Sequence, residues 1–223
     1  MNKTRRLVLI GAGELALIAN EYFSHDSDYE VVAFCVDREY LNEPELEGLP
    51  VIPYDELTTR FPAGEYEAFV AIPASGLNRV RKRFYLDLKD KGYRLATYIS
   101  SRAFVWRNAV IGDNCFIFEG NVIQPYVTVG NNCILWSGNH VGHRTVIRDH
   151  VFIASHAVIS GYCEIGEGSF IGVNSTFNDF VKVGHDVIVG SGALVVKALE
   201  PEKVYTGSPA RAVPGKSSFD VKL

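Results

Sequence analysis

From Val105 to Val195 every sixth residue is aliphatic, with Phe177 the single aromatic in the series Val105, Ile111, Ile117, Ile123 and onward to Val183, Val189 and Val195. A period of six is neither the helix's 3.6 nor the strand's 2. It is the signature of a β-solenoid in which each repeat is one short strand and a turn. Three repeats close a triangular coil, so residues eighteen apart stack. The position two before each aliphatic residue holds nothing larger than Val or Asn, as at Ala103, Cys115, Asn121, Asn139 and Ser169. Small side chains fit beside large ones in a narrow prism, where packing tolerates little excess volume. Glycine directly follows the aliphatic residue at Gly112, Gly130, Gly142, Gly166, Gly172, Gly184 and Gly190, where a tight corner with unusual dihedrals is the expectation. At a strand spacing of about 4.8 Å the pattern predicts a prism roughly 25 Å tall.

The first hundred residues follow a different rule. Residues 6–10 form an apolar run that ends on Gly11-Ala12-Gly13-Glu14-Leu15-Ala16, and a helical pattern continues to about Phe23. Strands are expected at Glu30–Val36, ending on Asp37, and at Ala68–Ile72, with a helix from about Leu77 to Lys91. Alternating β and α units imply a small parallel sheet. The glycine turn matches the G-x-G-x-x-G/A fingerprint, whose amides can approach a phosphate at a helix N-terminus. Asp37 stands 24 residues past Gly13, near where an acid meets a ribose or base. Fewer than a hundred residues supply one mononucleotide half, not the two of a dinucleotide fold. Glu14 would repel a phosphate unless it turns away. The expected division is a βαβ nucleotide-sugar-binding domain over residues 1–98 and a β-helix over 99–223.

Composition narrows the setting. A net charge of −4 over 223 residues gives no argument for nucleic acid or an acidic membrane. No apolar run has transmembrane length and the chain leads straight into a strand, so a cytoplasmic protein is expected. Cys115, Cys133 and Cys163 fall on small inward positions and Cys35 lies in an apolar strand, which reads as buried thiol filler.

Five of six histidines fall in the repeat region: His140, His143, His150, His156 and His185. Metal ligation as in solenoid carbonic anhydrases needs a five-residue spacing; five past His143 stands Arg148, and His150 to His156 is six. The expectation is no metal. His185, next to Asp186, and His150 read as solvated or structural. His143, in Gly142-His143-Arg144 two residues past an aliphatic position, projects from a corner and offers an imidazole that can accept a proton near neutral pH. On these residues alone the structural and general-base readings of His143 stay open.

Taken together, Gly11-Ala12-Gly13 after the first strand, the unbroken hexapeptides, the Gly-His corner and Gly207-Ser208-Pro209-Ala210-Arg211 resemble the bacterial hexapeptide-repeat sugar O- and N-acyltransferases. The resemblance implies a left-handed β-helix, a homotrimer with sites between neighbouring solenoids, acetyl-CoA as co-substrate and a nucleotide-linked sugar on the N-terminal domain. By position His143 is similar to the family's catalytic base, and Gly161 to the glycine whose amide faces the thioester oxygen. Acetyl-CoA would lie near Gly172 and Gly190, and His156 could stand in for a second histidine whose place Phe152 takes here. Gly11, Gly13, Asp37 and Ser75, with Asn78 and Arg81 as weaker candidates, would hold the nucleotide sugar; Arg81 reads equally as a residue on its helix's solvated face. Two departures stand out. Arg144 replaces the glutamate that orients the histidine in bacillosamine-pathway enzymes, so an orienter from elsewhere, such as a neighbouring chain, is required. Glu14-Leu15 replaces the family's Gly-His. The implied reaction is N-acetylation of a nucleotide-linked amino sugar, in surface-glycan biosynthesis of the O-antigen kind. O-acetylation of a hydroxyl, as on sialic acid, is the close alternative, and a non-catalytic nucleotide-sugar scaffold the remote one.

Overall fold

The computed structural model describes residues 3–223. By internal contacts the chain divides into two compact units, one running to Pro73 and including Arg81–Tyr98, the other comprising Ala74–Val80 and Ile99–Leu223.

The first unit is built from β1 (Arg5–Ile10), α1 (Glu14–His25), β2 (Tyr29–Val36), β3 (Glu45–Leu46), β4 (Leu49–Pro53), α2 (Leu57–Arg60), β5 (Glu67–Val70) and most of α3 (Arg79–Asp90). The sheet order is β3-β4-β2-β1-β5. β1 pairs in parallel with β2 and β5, and β2 with β4. Leu7 to Ile10 are fully buried, as expected of a central parallel strand covered on both faces. The hairpin β3–β4 is antiparallel. It was not foreseen because Glu45-Leu46-Glu47-Gly48 reads as polar loop, yet Glu47 (φ 49°) and Gly48 (φ 74°) supply the two positive dihedrals of a tight hairpin turn.

Two expected elements shift. β5 ends at Val70 and α3 begins at Arg79. Gly76, Leu77 and Asn78 adopt φ of 59°, 53° and 62°, and a left-handed turn cannot continue into a right-handed helix. This turn belongs to the second unit: Leu77 packs with Ile188 and Val204, and Asn78 Nδ2 donates to Gly168 O at 3.1 Å. Arg81 is not on a solvated face. It is 1% exposed and donates to the carbonyls of Val70 and Ile72, which satisfies both the guanidinium and the end of β5.

The second unit carries sixteen two-residue strands from Phe104–Val105 to Leu194–Val195. Each pairs in parallel with the strand one coil on, as in Val122↔His140, Thr128↔Val146 and Ile134↔Phe152. Three faces result. Face one holds the strands at 104, 122, 140, 158, 176 and 194; face two those at 110, 128, 146, 164 and 182; face three those at 116, 134, 152, 170 and 188. The inward aliphatics from Ile117 to Val195 are buried in one cluster, which Leu199, Tyr205 and Ala210 extend at the C-terminal end. Interior Asn121 is fully buried and donates to Phe118 O (2.8 Å) and Trp136 O (2.9 Å). The four cysteines are free and buried; burial pushes the thiols of Cys35, Cys133 and Cys163 up.

The corner glycines need a different account from the one their positions suggest. None of the seven has a positive φ. A Cβ on Gly130 would lie 2.8 Å from Arg148 C, one on Gly142 2.5 Å from Ser160 C, and one on Gly166 2.3 Å from Gly184 O. These glycines let one coil's backbone sit on the next. The left-handed dihedral falls two residues later, where all fourteen positions from Asn114 to Gly192 have φ between 53° and 76°.

Candidate active site

His143 and Gly161 are brought together at the corner between faces one and two. The His143 ring lies over the next coil, so that a Cβ on Gly161 would fall 2.6 Å from Cε1 and 2.9 Å from Nε2. Gly161 is therefore the seat of the imidazole. Its amide is not free to face a thioester oxygen, as the resemblance implied, because it donates to Asp179 Oδ1 at 2.8 Å.

His143 has a polar partner within its own chain. Gln124 Oε1 accepts the His143 backbone N–H at 2.9 Å and stands 3.3 Å from Nδ1. The backbone N–H can only donate, which fixes the oxygen of the carboxamide at this place. An oxygen facing Nδ1 requires Nδ1 to carry the proton, leaving Nε2 as the basic nitrogen. Arg144 points elsewhere, its guanidinium 4.5 Å from the Tyr126 ring centroid. Tyr162 meets the imidazole edge-on at 5.1 Å and stacks on Phe180 at 5.0 Å. Gln124 has no signal in the sequence because it stands nineteen residues before His143, one off the eighteen-residue stacking period.

His156, Gly172 and Gly190 share the corner between faces three and one, on successive coils. The His156 ring crosses Gly138, where a Cβ would meet it at 2.5 Å. Within one chain the two predicted groups thus occupy the two edges of face one, and His156 does not join His143. Phe152, in the second histidine's place, is 8% exposed and stacks on Phe170 at 5.2 Å.

In the first unit, Gly11 and Gly13 follow β1, beside the point where the sheet order reverses between β2 and β5, where open α/β sheets bind ligands. Gly11 has φ 124°, and a Cβ there would lie 2.7 Å from Ala71 O. Gly13 caps α1, and Glu14 is exposed in its first turn. Asp37 accepts from Arg83 at 2.6 Å and lines a cleft of about 470 Å³ with Arg38, Tyr54, Asp55, Thr58 and Lys91. Ser75 falls in the second unit, beside the left-handed turn. Among the described residues, His185, Asp186 and Glu202 are the side chains close enough to share an ion, their ligand atoms within 4.8 Å. They are remote in sequence from His143. No helix among the described residues is long and apolar enough to cross a membrane.

Two family models match. The bacterial transferase hexapeptide model covers residues 108–143, 126–161 and 162–197, and the PglD N-terminal domain model covers residues 6–88. The acetyltransferase domain of PglB from Neisseria gonorrhoeae, in complex with acetyl coenzyme A, is 27% identical with a TM-score of 0.85, over 96% of this chain and 100% of that one. A variant of perosamine N-acetyltransferase from Caulobacter crescentus, in complex with CoA and GDP-perosamine, is 25% identical with a TM-score of 0.83, over 93% and 96%. WeeI from Acinetobacter baumannii, at 22% identity and a TM-score of 0.76 over 94% and 100%, shares the fold. A small α/β unit joined to a left-handed hexapeptide β-helix defines a solenoid acyltransferase. The chain belongs to the bacterial sugar acyltransferase family with hexapeptide repeats.

Proposed function

We propose that the chain transfers an acetyl group from acetyl-CoA to the amine of a nucleotide-linked amino sugar, a 4-amino-4,6-dideoxyhexose, with His143 as general base. The observation that carries this reading is the hold on His143: Gly161 beneath its ring and Gln124 Oε1 at Nδ1 leave Nε2 as the acceptor. The neutral amine attacks the thioester carbonyl, Nε2 takes the amine's proton as the C–N bond forms, and the proton passes to the departing thiolate of CoA. General-base assistance of this kind is worth roughly a hundred- to ten-thousandfold, and fixing both substrates supplies the rest by proximity. A carboxamide partner orients the imidazole without the charge a carboxylate would lend the imidazolium. That suits an amine, which can attack before its proton is removed, better than a hydroxyl, which must be deprotonated on the way; the observation favours N- over O-acetylation.

The relatives bound to acetyl-CoA and to CoA with GDP-perosamine support the two substrates. Acetyl-CoA is assigned to the corner of His156, Gly172 and Gly190, the nucleotide to the first unit around Gly11, Gly13 and Asp37, and Ser75 to the sugar side. A homotrimer is supported by face one, which exposes Phe104 (51%) and Val158 (41%) between the two corners. Packing copies on an apolar face of this kind would bring one chain's carrier corner to another's histidine. A cytoplasmic place in surface-glycan assembly follows from acetyl-CoA and a nucleotide sugar as substrates. The test is thiol release from acetyl-CoA across UDP-, dTDP- and GDP-linked 4-amino and 3-amino sugars and sialic acid, with product mass. Acetamide formation on one amino sugar is expected. Release only with a hydroxyl acceptor would make it an O-acetyltransferase, and binding of a nucleotide sugar with no turnover a scaffold.

A further inference from the structure

The left-handed corner positions form three columns, and one of them breaks the rule the others keep. Asn114, Asn132, His150, Gly168 and Asp186 make the first; Gly120, Gly138, His156, Asn174 and Gly192 make the second. Gly, Asn, Asp and His are the residues that accept positive φ. The third column is Tyr126, Arg144, Tyr162 and Phe180, with φ of 63°, 59°, 57° and 64°. Bulky residues there are uphill, and such positions persist where function requires them. Packing within the chain does not repay them fully, since Tyr126, Tyr162 and Phe180 are 57%, 45% and 69% exposed. This column runs along the corner that carries His143.

We propose that Tyr162 and Phe180 form an apolar wall against which the acceptor's hexose ring packs, so that they set acceptor specificity; this rests on the reading of His143 as the base of acyl transfer. Tyr162 touches the imidazole edge-on at 5.1 Å and stacks on Phe180 at 5.0 Å with 17° between the rings. Anything whose amine reaches Nε2 therefore passes along this pair. A pyranose presents a flat C–H face, made larger when a hydroxymethyl is replaced by methyl, and an exposed aromatic pair is its chemical complement. The Tyr126 face is already covered by the Arg144 guanidinium, which leaves Tyr162 and Phe180 as the open part of the column.

Asparagine occupies this position at 114, 132 and 174, so Tyr162→Asn and Phe180→Asn test the wall without straining the coil. The measurement is steady-state kinetics of the full chain with the amino-sugar acceptor and acetyl-CoA, alongside melting temperature and mass by light scattering. KM for the acceptor is expected to rise about tenfold in each variant, in line with loss of an aromatic contact. KM for acetyl-CoA should stay within twofold, mass should be unchanged, melting temperature should hold or rise, and Tyr162→Phe should restore the acceptor KM. Acceptor kinetics unmoved in both variants would overturn the wall, and so would a fall in melting temperature (a packing role) or in mass (a contact between copies). A wild-type chain that releases no thiol with any acceptor would overturn the transferase reading and the wall with it; normal wild-type turnover with unaffected variants overturns the wall alone.

Discussion

The two edges of face one share a backbone and differ in what stands on it. At the edge shared with face three the left-handed positions are Gly120, Gly138, His156, Asn174 and Gly192; at the edge that carries His143 they are Tyr126, Arg144, Tyr162 and Phe180, all within the same narrow range of φ. A left-handed residue other than Gly, Asn, Asp or His costs about 1–2 kcal/mol, so the second edge is costly to build and the first is much less so. The first edge stays low, its largest side chain being His156, and the second sets aromatic side chains beside the His143 imidazole. A repeating fold thus sets two unlike edges by varying single positions on identical turns.

The comparison can be broken hardest at the glycines. Gly142→Ala places a methyl against the Ser160 backbone, whereas Gly161→Ala places it against the end of the His143 ring. The first should cost about 3 kcal/mol of stability, read as a clear drop in melting temperature. The second should keep the fold and lower kcat about a hundredfold, because a displaced ring loses its alignment. If both variants simply unfold, Gly161 is scaffold and not a seat.

Gln124 sharpens the histidine edge further. Gln124→Ala should lower kcat about tenfold with acetyl-CoA KM unchanged, since a misoriented base loses part of the general-base gain. Gln124→Glu sets a carboxylate at Nδ1, which favours the protonated imidazole. The base works in its neutral form, so the acid limb of the pH–rate profile should move up by about one unit. A limb that stays put means Gln124 does not face the base.

At the low edge, Gly138→Ala would displace the His156 ring, which lies where the methyl must go, and at φ 76° it should also cost about 1–2 kcal/mol of stability. KM for acetyl-CoA should rise about threefold, roughly the loss of one weak polar contact, with acceptor KM unmoved. The reverse pattern would reassign the corner. The smallest effect is at the thiols: with Cys35, Cys133 and Cys163 buried and their titration pushed up by that burial, the native chain should react negligibly with a thiol reagent and fully once denatured.

The solenoid was legible because it repeats. Fifteen aliphatics and Phe177 state one solution over and over, and the eighteen-residue stacking they imply is the one by which Gly161 lies beneath His143, although Gly161 itself is singled out only by the family resemblance. The same repetition misled at the glycines, where close approach of coils and left-handed dihedrals fall two residues apart and both favour glycine. Gln124 lay one residue off the period, and its role depends on a side chain reaching sideways between coils. In the first unit each element occurs once. The parallel strands showed in their apolar runs, but the β3–β4 hairpin, the left-handed Gly76-Leu77-Asn78 and the buried Arg81 depend on tertiary partners that no local pattern records. The ion pair of Arg83 with Asp37 joins residues 46 apart and is likewise invisible to a local pattern.

The account turns on one imidazole, and the direct measurement is kcat/KM of His143→Ala for an amino-sugar acceptor, with melting temperature taken in parallel. His143 is exposed, so the fold should be unaffected, and the rate is predicted to fall about a thousandfold. A stable variant that retains a rate within a few-fold of wild type would show that the base lies elsewhere.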